Sequence, residues 1–288
     1  MQSIGSLVLA CCAAASLAAC AAHTAARGSA ATAPVTAARV VTLVPSFADD
    51  AYTIGAGAQL VAVSAFTDAP QVKGLPRVAD ASSVDDEAIV ALRPTLVLGI
   101  PAQERLTEPL RRAGIRVVLL ADDSYASIFE NLRRIGALTG RSREAEATIA
   151  RLRHETAMLH ARTAAYLRRP SVFIVLGSGP IWTAGSASYI STLIALAGGA
   201  NAANDLHAAY GVYSSEALVR RQPDVLVADA AIHIAGALDR EPWRSLNAVR
   251  QGRLYDVDPK IIERPGPAYN EGVRWLVDRL TPLAVATP

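Results

Sequence analysis

Cysteine, aromatic residues and excess charge of either sign are scarce in this chain of 288 residues. All three cysteines lie at or before Cys20, so the body that follows has no thiol for a disulfide, a nucleophile or a metal site. The net charge is only +2, which gives no electrostatic basis for binding nucleic acid. The five histidines are scattered along the chain, so we expect neither a direct metal site nor a resident cofactor.

The first 22 residues carry no charged side chain. Their apolar stretch is too short for a membrane-spanning helix and fits a signal peptide. Leu17-Ala18-Ala19-Cys20 resembles a bacterial lipobox, in which the cysteine becomes the lipidated N-terminus. We expect a signal peptide over 1–19, and over 20–38 a lipidated Cys20 and a flexible tether rich in alanine, threonine, serine and proline. Because the basic residues usual in a signal peptide are missing, a plain secretory signal with an incidental cysteine is the alternative.

Beyond the tether, apolar runs rich in β-branched residues alternate with amphipathic segments. Strands are predicted at 40–44, 60–63, 96–99, 116–120, 172–176, 225–228 and 254–257. Helices are predicted between them at 47–54, 86–92, 106–113 and 188–197, and after them at 271–280. Continuous apolar strands separated by helices indicate parallel sheets covered on both faces.

One long segment interrupts this alternation. Residues 142–168 contain neither glycine nor proline, and their apolar residues recur at helical spacing. A helix of that length spans roughly 40 Å, more than one small lobe requires. We therefore predict an α/β protein with two Rossmann-like lobes, 39–141 and 170–288, joined by a single long helix over 142–169.

A short pattern occurs once on each side of this helix. The segment Glu87–Pro94 parallels Glu216–Pro223, and in both the proline follows the glutamate by seven positions. The pair predicts two lobes of similar build, each with an acidic side chain at the first turn of a helix. Complementing the helix dipole is the alternative role for each glutamate.

The order of these elements resembles the periplasmic binding proteins that deliver vitamin B12, ferric siderophores or haem to ABC importers. The sequences that carry the resemblance are VALRP, GSGPIWTAG, LIALAGGANAA, SSEALVRRQPDVLV and ERPGPA. It extends over residues 39–282 and is strongest with the vitamin B12-binding members. The resemblance implies the class III periplasmic binding protein architecture, or helical backbone metal receptor, with the ligand held in the cleft between the lobes.

This resemblance also implies a function. The protein would be a monomeric, periplasm-facing lipoprotein that captures cobalamin or another corrinoid and delivers it to the transmembrane subunits of an importer. A ferric siderophore or haem is the alternative ligand, and an exported enzyme is the alternative from another class. In the family one glutamate per lobe docks on arginines of the importer, and these positions match Glu87 and Glu216.

Several cleft positions are implied in the same way. Pro45 and Ser46 follow the first strand, where the first ligand loop of the family lies. Phe66 matches a position that is usually aromatic in the B12 binders. Trp182 matches a phenylalanine that lies on the corrin, and Tyr210 matches a tryptophan in the same role. Packing within a lobe is the alternative for each aromatic side chain.

Two further residues are candidates for ligand contact. Tyr213 lies on the same predicted cleft loop as the preceding tyrosine. Arg264 could meet ligand carboxylates, or it could pair with Glu263 or a surface carboxylate. Lys260 stands where the B12 binders carry a ligand-contacting aspartate, so the sequence leaves the ligand open.

The haem and enzyme alternatives each lack an expected pattern. Haem binders generally supply a tyrosine or histidine near 79–83, where this chain has neither. The segment Gly177-Ser178-Gly179 lacks the spacing of a nucleophile elbow. The carboxylate pairs Asp49-Asp50 and Asp122-Asp123 are explained more simply as helix caps and turns.

Overall fold

The computed structural model describes residues 38–80 and 82–284. The predicted signal peptide, Cys20 and the tether up to residue 37 lie outside these residues. Among the described residues, no helix is both long enough and apolar enough to cross a membrane.

The first lobe is built on five strands, which are β1 (Val40–Thr42), β2 (Leu60–Ser64), β3 (Arg77–Ala79), β4 (Leu96–Gly99) and β5 (Val117–Leu119). Its helices are α1 (Pro45–Thr53), α2 (Asp86–Ala91), α3 (Glu104–Arg112) and α4 (Tyr125–Thr139). The sheet has the order β3-β2-β1-β4-β5, and every pairing is parallel. The central strand β1 is buried throughout, as expected where helices cover both faces.

Neither β3 nor α4 is among the predicted elements. Strand β3 has only three residues, too few for a clear period in the sequence. The limits of α4 do have sequence signals, because the hydroxyl of Ser124 accepts a hydrogen bond from the N–H of Ser127. Gly140 ends the helix at a φ of 72°, a left-handed conformation that favours glycine.

The long helix, α5 (Ser142–Thr163), is shorter than predicted. Its 22 residues span about 33 Å, and the predicted end at 169 is wrong. The chain after Thr163 instead packs on the C-terminal helix. The hydroxyl groups of Tyr166 and Thr281 are 2.7 Å apart, and the N–H of Leu167 donates to the carbonyl of Ala284 at 3.1 Å.

The second lobe begins after this segment. Its strands are β6 (Ser171–Val175), β7 (Gly177–Ser178), β8 (Ile181–Ala184), β9 (Ala200–Asn201), β10 (Tyr210–Val212), β11 (Val225–Asp229) and β12 (Leu254–Val257). Its helices are α6 (Tyr189–Leu196), α7 (Ser215–Arg221), α8 (Asn247–Arg250), α9 (Pro259–Ile262) and α10 (Tyr269–Ala284). A parallel sheet has the order β12-β11-β6-β9. A separate antiparallel sheet, β10-β8-β7, was not expected from the parallel pattern.

Helix α5 lies between the two lobes and packs on both. It contacts α4 on the side of the first lobe and α10 on the side of the second. Its buried residues Ile149 and Leu152 belong to one apolar cluster that includes core residues of both sheets, such as Val40 and Val172. The prediction of two α/β lobes joined by a single helix is confirmed.

An aromatic cluster connects the lobes beside α5. The ring of Tyr269 meets the rings of Tyr125 and Phe129 edge-on, with centroids 5.2 and 6.0 Å away. Its hydroxyl is 2.5 Å from the hydroxyl of Thr156 and donates to the carbonyl of Leu152 at 3.2 Å. Tyr269 is fully buried. This one side chain of the second lobe therefore contacts both the first lobe and α5.

We expect Tyr269→Ala to lower the free energy of unfolding by about 3–5 kcal/mol, because it removes a buried ring at the junction of three elements. Urea unfolding of the mature protein measures this loss. Met158→Ala changes a side chain of α5 that is 59% exposed and should stay within about 0.5 kcal/mol of wild type. A loss below about 1 kcal/mol for Tyr269→Ala would contradict the proposed role of this junction.

Candidate functional site

The carboxyl ends of strands from both lobes open onto one cleft. A cavity of about 420 Å³ is lined by Asp122, Asp123, Leu176, Trp182, Tyr210, Glu263 and Pro265. A second cavity, of about 240 Å³, is lined by Val44, Pro45, Ser46, Asp122, Pro259, Glu263, Arg264 and Pro265. The two cavities share three lining residues, so they adjoin each other. In open α/β sheets, ligands bind at this end of the strands.

The second lobe supplies an exposed apolar face, which we call the aromatic wall: Trp182, Tyr210 and Val212. Trp182 and Val212 are direct partners in the antiparallel pairing of β8 and β10, and Tyr210 lies two residues away on the same face. These side chains are 44%, 37% and 56% exposed. The neighbouring Thr183 points the other way and donates to the carbonyl of Ile174 at 2.6 Å, which fixes the orientation of the wall.

The first lobe contributes the start of α1 to the opposite side. Pro45 occupies the first turn of that helix, where its fixed φ and missing N–H cost nothing. Ser46 follows and is only 2% exposed, although it lines the smaller cavity. Phe66 is 56% exposed but lines neither cavity. The structure therefore brings Pro45 and Ser46 to the cleft and leaves Phe66 outside both cavities.

Tyr213 does not belong to the cleft surface, and its prediction as a ligand contact is corrected. It is 7% exposed, its ring lies 5.3 Å from that of Phe173, and its hydroxyl donates to Asp205 at 2.9 Å. Side chains alternate between the two sides of a strand. A residue three positions after Tyr210 therefore points into the lobe when Tyr210 points into the cleft.

Arg264 crosses the cleft and is already paired. Its Nη1 lies 3.2 Å from Oδ2 of Asp49 and 3.6 Å from Oδ1 of Asp68, both in the first lobe. Lys260, from the same segment, lies 2.6 Å from Oδ2 of Asp68. Neither cation pairs with the adjacent Glu263. The segment after β12 is thus fastened to the first lobe by ion pairs that the sequence did not reveal.

Carboxylates that the sequence explained as caps or turns gather around the cleft. Asp49 and Asp50 lie within α1, and Asp122 lines both cavities, while Ser124 caps α4. Burial raises the pKa of Asp49, although the Arg264 guanidinium opposes the shift. Burial also raises the pKa of Asp122, and it raises that of Asp50 well above its usual range. The available signal was that Asp122-Asp123 begins one residue beyond a predicted strand, with only Ala121 between them.

A family model described as "Periplasmic binding protein" matches residues 40–261. The chain belongs to this family.

A vitamin B12-binding protein of Pectobacterium carotovorum subsp. carotovorum (strain PC1) is 33% identical over 85% of this chain and 89% of its own length. An uncharacterised ABC transporter substrate-binding lipoprotein, YvrC, of Bacillus subtilis (strain 168) is 28% identical over 85% and 80%. The structure of a periplasmic haem-binding protein from Pseudomonas aeruginosa matches with a TM-score of 0.77 at 26% identity, covering 87% of this chain and 95% of that one. A family of binding proteins favours a receptor over an exported enzyme.

The two matched glutamates of this periplasmic binding protein both lie exposed at the first turn of a helix. Glu87 is on α2, whose cap is Asp85, and Glu216 is on α7, whose cap is Ser214. The capping hydrogen bonds are therefore accepted by the side chains of Asp85 and Ser214, and the glutamates are not needed as caps. The hydroxyl of Ser214 also donates to Glu216 at 2.6 Å, which lowers the pKa of that carboxyl.

We expect Arg264→Gln to lower the free energy of unfolding by about 2 kcal/mol at pH 8, because it leaves Asp49 half-buried without its cation. Losing the guanidinium raises the pKa of Asp49 further above its unfolded value. The destabilisation is therefore complete above the raised pKa and shrinks as the pH falls through it. Urea unfolding at pH 8 and pH 4.5 measures both effects.

The control for this variant is Arg240→Gln. The side chain of Arg240 is 75% exposed, so its loss should change stability by less than about 0.5 kcal/mol at either pH. An Arg264→Gln variant as stable as wild type at pH 8 would show that the cross-lobe pair does not hold the segment.

Proposed function

We propose that this protein is the substrate-binding protein of an ABC importer and captures a corrinoid such as cobalamin in the cleft between its lobes. The observation that carries the proposal is the combination of an exposed aromatic wall with carboxylates that no cation neutralises within the described part of the cleft. The vitamin B12-binding relative supports the same ligand class.

The charges of the cleft favour a ligand that donates hydrogen bonds. Asp122, Asp123 and Glu263 line the larger cavity, whereas Lys260 and Arg264 already pair with carboxylates of the first lobe. A corrin ring carries primary amide groups, whose N–H groups suit carboxylate acceptors. Haem carries two propionates, and burying these beside carboxylates is unfavourable. The electrostatics therefore favour a corrinoid over haem.

The aromatic wall suits a flat macrocycle. Trp182 and Tyr210 present large amphipathic faces beside Val212 without filling the cavity. Burying such faces against a ring system gives affinity, and the surrounding polar groups fix orientation. A ferric siderophore of the hydroxamate type, which is not anionic, is the second candidate because the carboxylates would tolerate it.

Export and lipid attachment at Cys20 complete this proposal. The relative YvrC is described as a lipoprotein, which supports the interpretation of Leu17–Cys20 as a lipobox. The protein would then face the periplasm or the outside of the cell, tethered to a membrane and free to deliver its ligand to the transmembrane subunits of an importer.

Titration of the mature protein with cyanocobalamin, haemin and a ferric hydroxamate tests the ligand. Trp182 is one of three tryptophans, so quenching of tryptophan fluorescence should report occupation of the cleft. We expect cyanocobalamin to bind most tightly. Trp182→Ala should weaken its binding about 5- to 150-fold, the range of a lost aromatic anchor, which calorimetry measures. Tyr255→Ala, in strand β12 of the second lobe, serves as the matched aromatic control. Tighter binding of haemin would contradict the corrinoid proposal.

We propose in addition that Glu87 and Glu216 dock on arginines of the importer. The double variant Glu87→Ala/Glu216→Ala should bind the ligand as wild type does but support at least about tenfold less uptake, because exposed charge pairs govern encounter and orientation. Uptake of labelled ligand into cells or vesicles that carry the importer measures this loss. Glu108→Ala/Glu130→Ala removes two exposed glutamates elsewhere and should leave uptake intact. Undiminished uptake in the first variant would refute the docking role.

A further inference from the structure

Glu263 lies where the two cavities of the cleft adjoin. It follows α9 directly and lines both adjoining cavities, together with Asp122 and Pro265. A ligand that filled either cavity would therefore meet its side chain. The sequence identified this residue only as a partner for Arg264, a contact that does not form.

The carboxyl group of Glu263 is unsatisfied. Its Oε1 is buried and has no hydrogen-bond partner among the described residues. Buried acceptors without partners are unfavourable, and native structures keep few of them. The unpartnered Oε1 of Glu263, at a position that lines both cavities, is therefore available to accept a hydrogen bond from a ligand.

The charged groups around Glu263 are mostly acidic. From the ends of the neighbouring strands come Asp122, Asp123 and Asp229, and α1 contributes Asp49 and Asp50 to the same side of the first lobe. The cations Lys260 and Arg264 are engaged by Asp49 and Asp68. Tyr210, from the aromatic wall, is close enough that the carboxyl of Glu263 contributes to raising its pKa, after burial, to about 12.

We propose that Glu263 selects the ligand, with its ionised carboxylate accepting a hydrogen bond from an amide N–H of the bound corrinoid. This inference rests on the proposed function and deepens it. A ligand that presents a carboxylate at the same place would meet repulsion instead, so one side chain both favours amides and rejects propionates.

The selection makes binding depend on pH. Burial raises the pKa of Glu263 to about 7, and Asp229 adds to the shift. A donated N–H hydrogen bond stabilises the ionised form, so the bound state has the lower pKa. Binding then releases a proton between the two pKa values. Affinity is therefore highest well above pH 7 and falls by up to about tenfold per pH unit below it, until the lower pKa of the bound state is reached.

Calorimetric titration with cyanocobalamin at pH 5.5, 6.5, 7.5 and 8.5 tests the inference on the mature protein. Wild type should weaken about tenfold or more from pH 8.5 to 5.5. Glu263→Gln should bind about tenfold more weakly at pH 8.5 and show a nearly flat profile. Glu263→Asp keeps the carboxylate and should keep the pH dependence. Glu130→Gln, an exposed change, should match wild type, and Asp122→Asn should keep the fall below pH 7.

The outcomes separate this inference from the proposed function. If wild type binds cyanocobalamin and Glu263→Gln keeps its pH profile, or Asp122→Asn alone loses it, the role of Glu263 is refuted and the corrinoid proposal stands. If cyanocobalamin does not bind at any pH, or haemin binds more tightly, both are refuted. Thermal unfolding of each variant at every pH confirms that the compared proteins are folded.

Discussion

One face of helix α5 packs on α4 of the first lobe and on α10 of the second, and the spacing of the cleft walls depends on this packing. The apolar cluster runs without a break from one sheet to the other through the helix. The hydroxyl and ring of Tyr269 connect the same three elements. Because close-packed interiors deform little, the lobes are held in a fixed relation. The cleft is therefore largely formed before a ligand arrives, which limits the ordering cost of binding.

Ion pairs determine which charged side chains remain unpaired in the cleft. The segment after β12 carries two cations, Lys260 and Arg264, and both are paired with the first-lobe carboxylates Asp49 and Asp68. Glu263 is left with its acceptor oxygen buried and unpaired among the described residues. The salt bridges that hold this segment against the first lobe therefore leave a negative charge, that of Glu263, for a ligand in the cleft to meet.

Local patterns in the sequence predicted most of the fold, while the site depended on geometry that the sequence does not contain. Apolar runs predicted the central strands, and a long segment without glycine predicted α5. The end of that helix was not predictable, because it is set by long-range contacts of Tyr166 and Leu167. Trp182 lines the cleft as predicted, whereas Tyr213 points into the lobe. The short antiparallel sheet was not predicted, and with it the side of the strand on which Tyr213 lies. The partners of Arg264 lie more than 190 residues away in the chain. No local pattern identifies such partners.

The structure of the mature protein bound to cyanocobalamin tests the central claim most directly. The account predicts a corrin ring against the aromatic wall, an amide nitrogen within hydrogen-bond distance of the Glu263 carboxylate, and lobes related as they are here. A corrinoid bound outside the cleft, or a cleft that closes by a large rotation of the lobes, would contradict it.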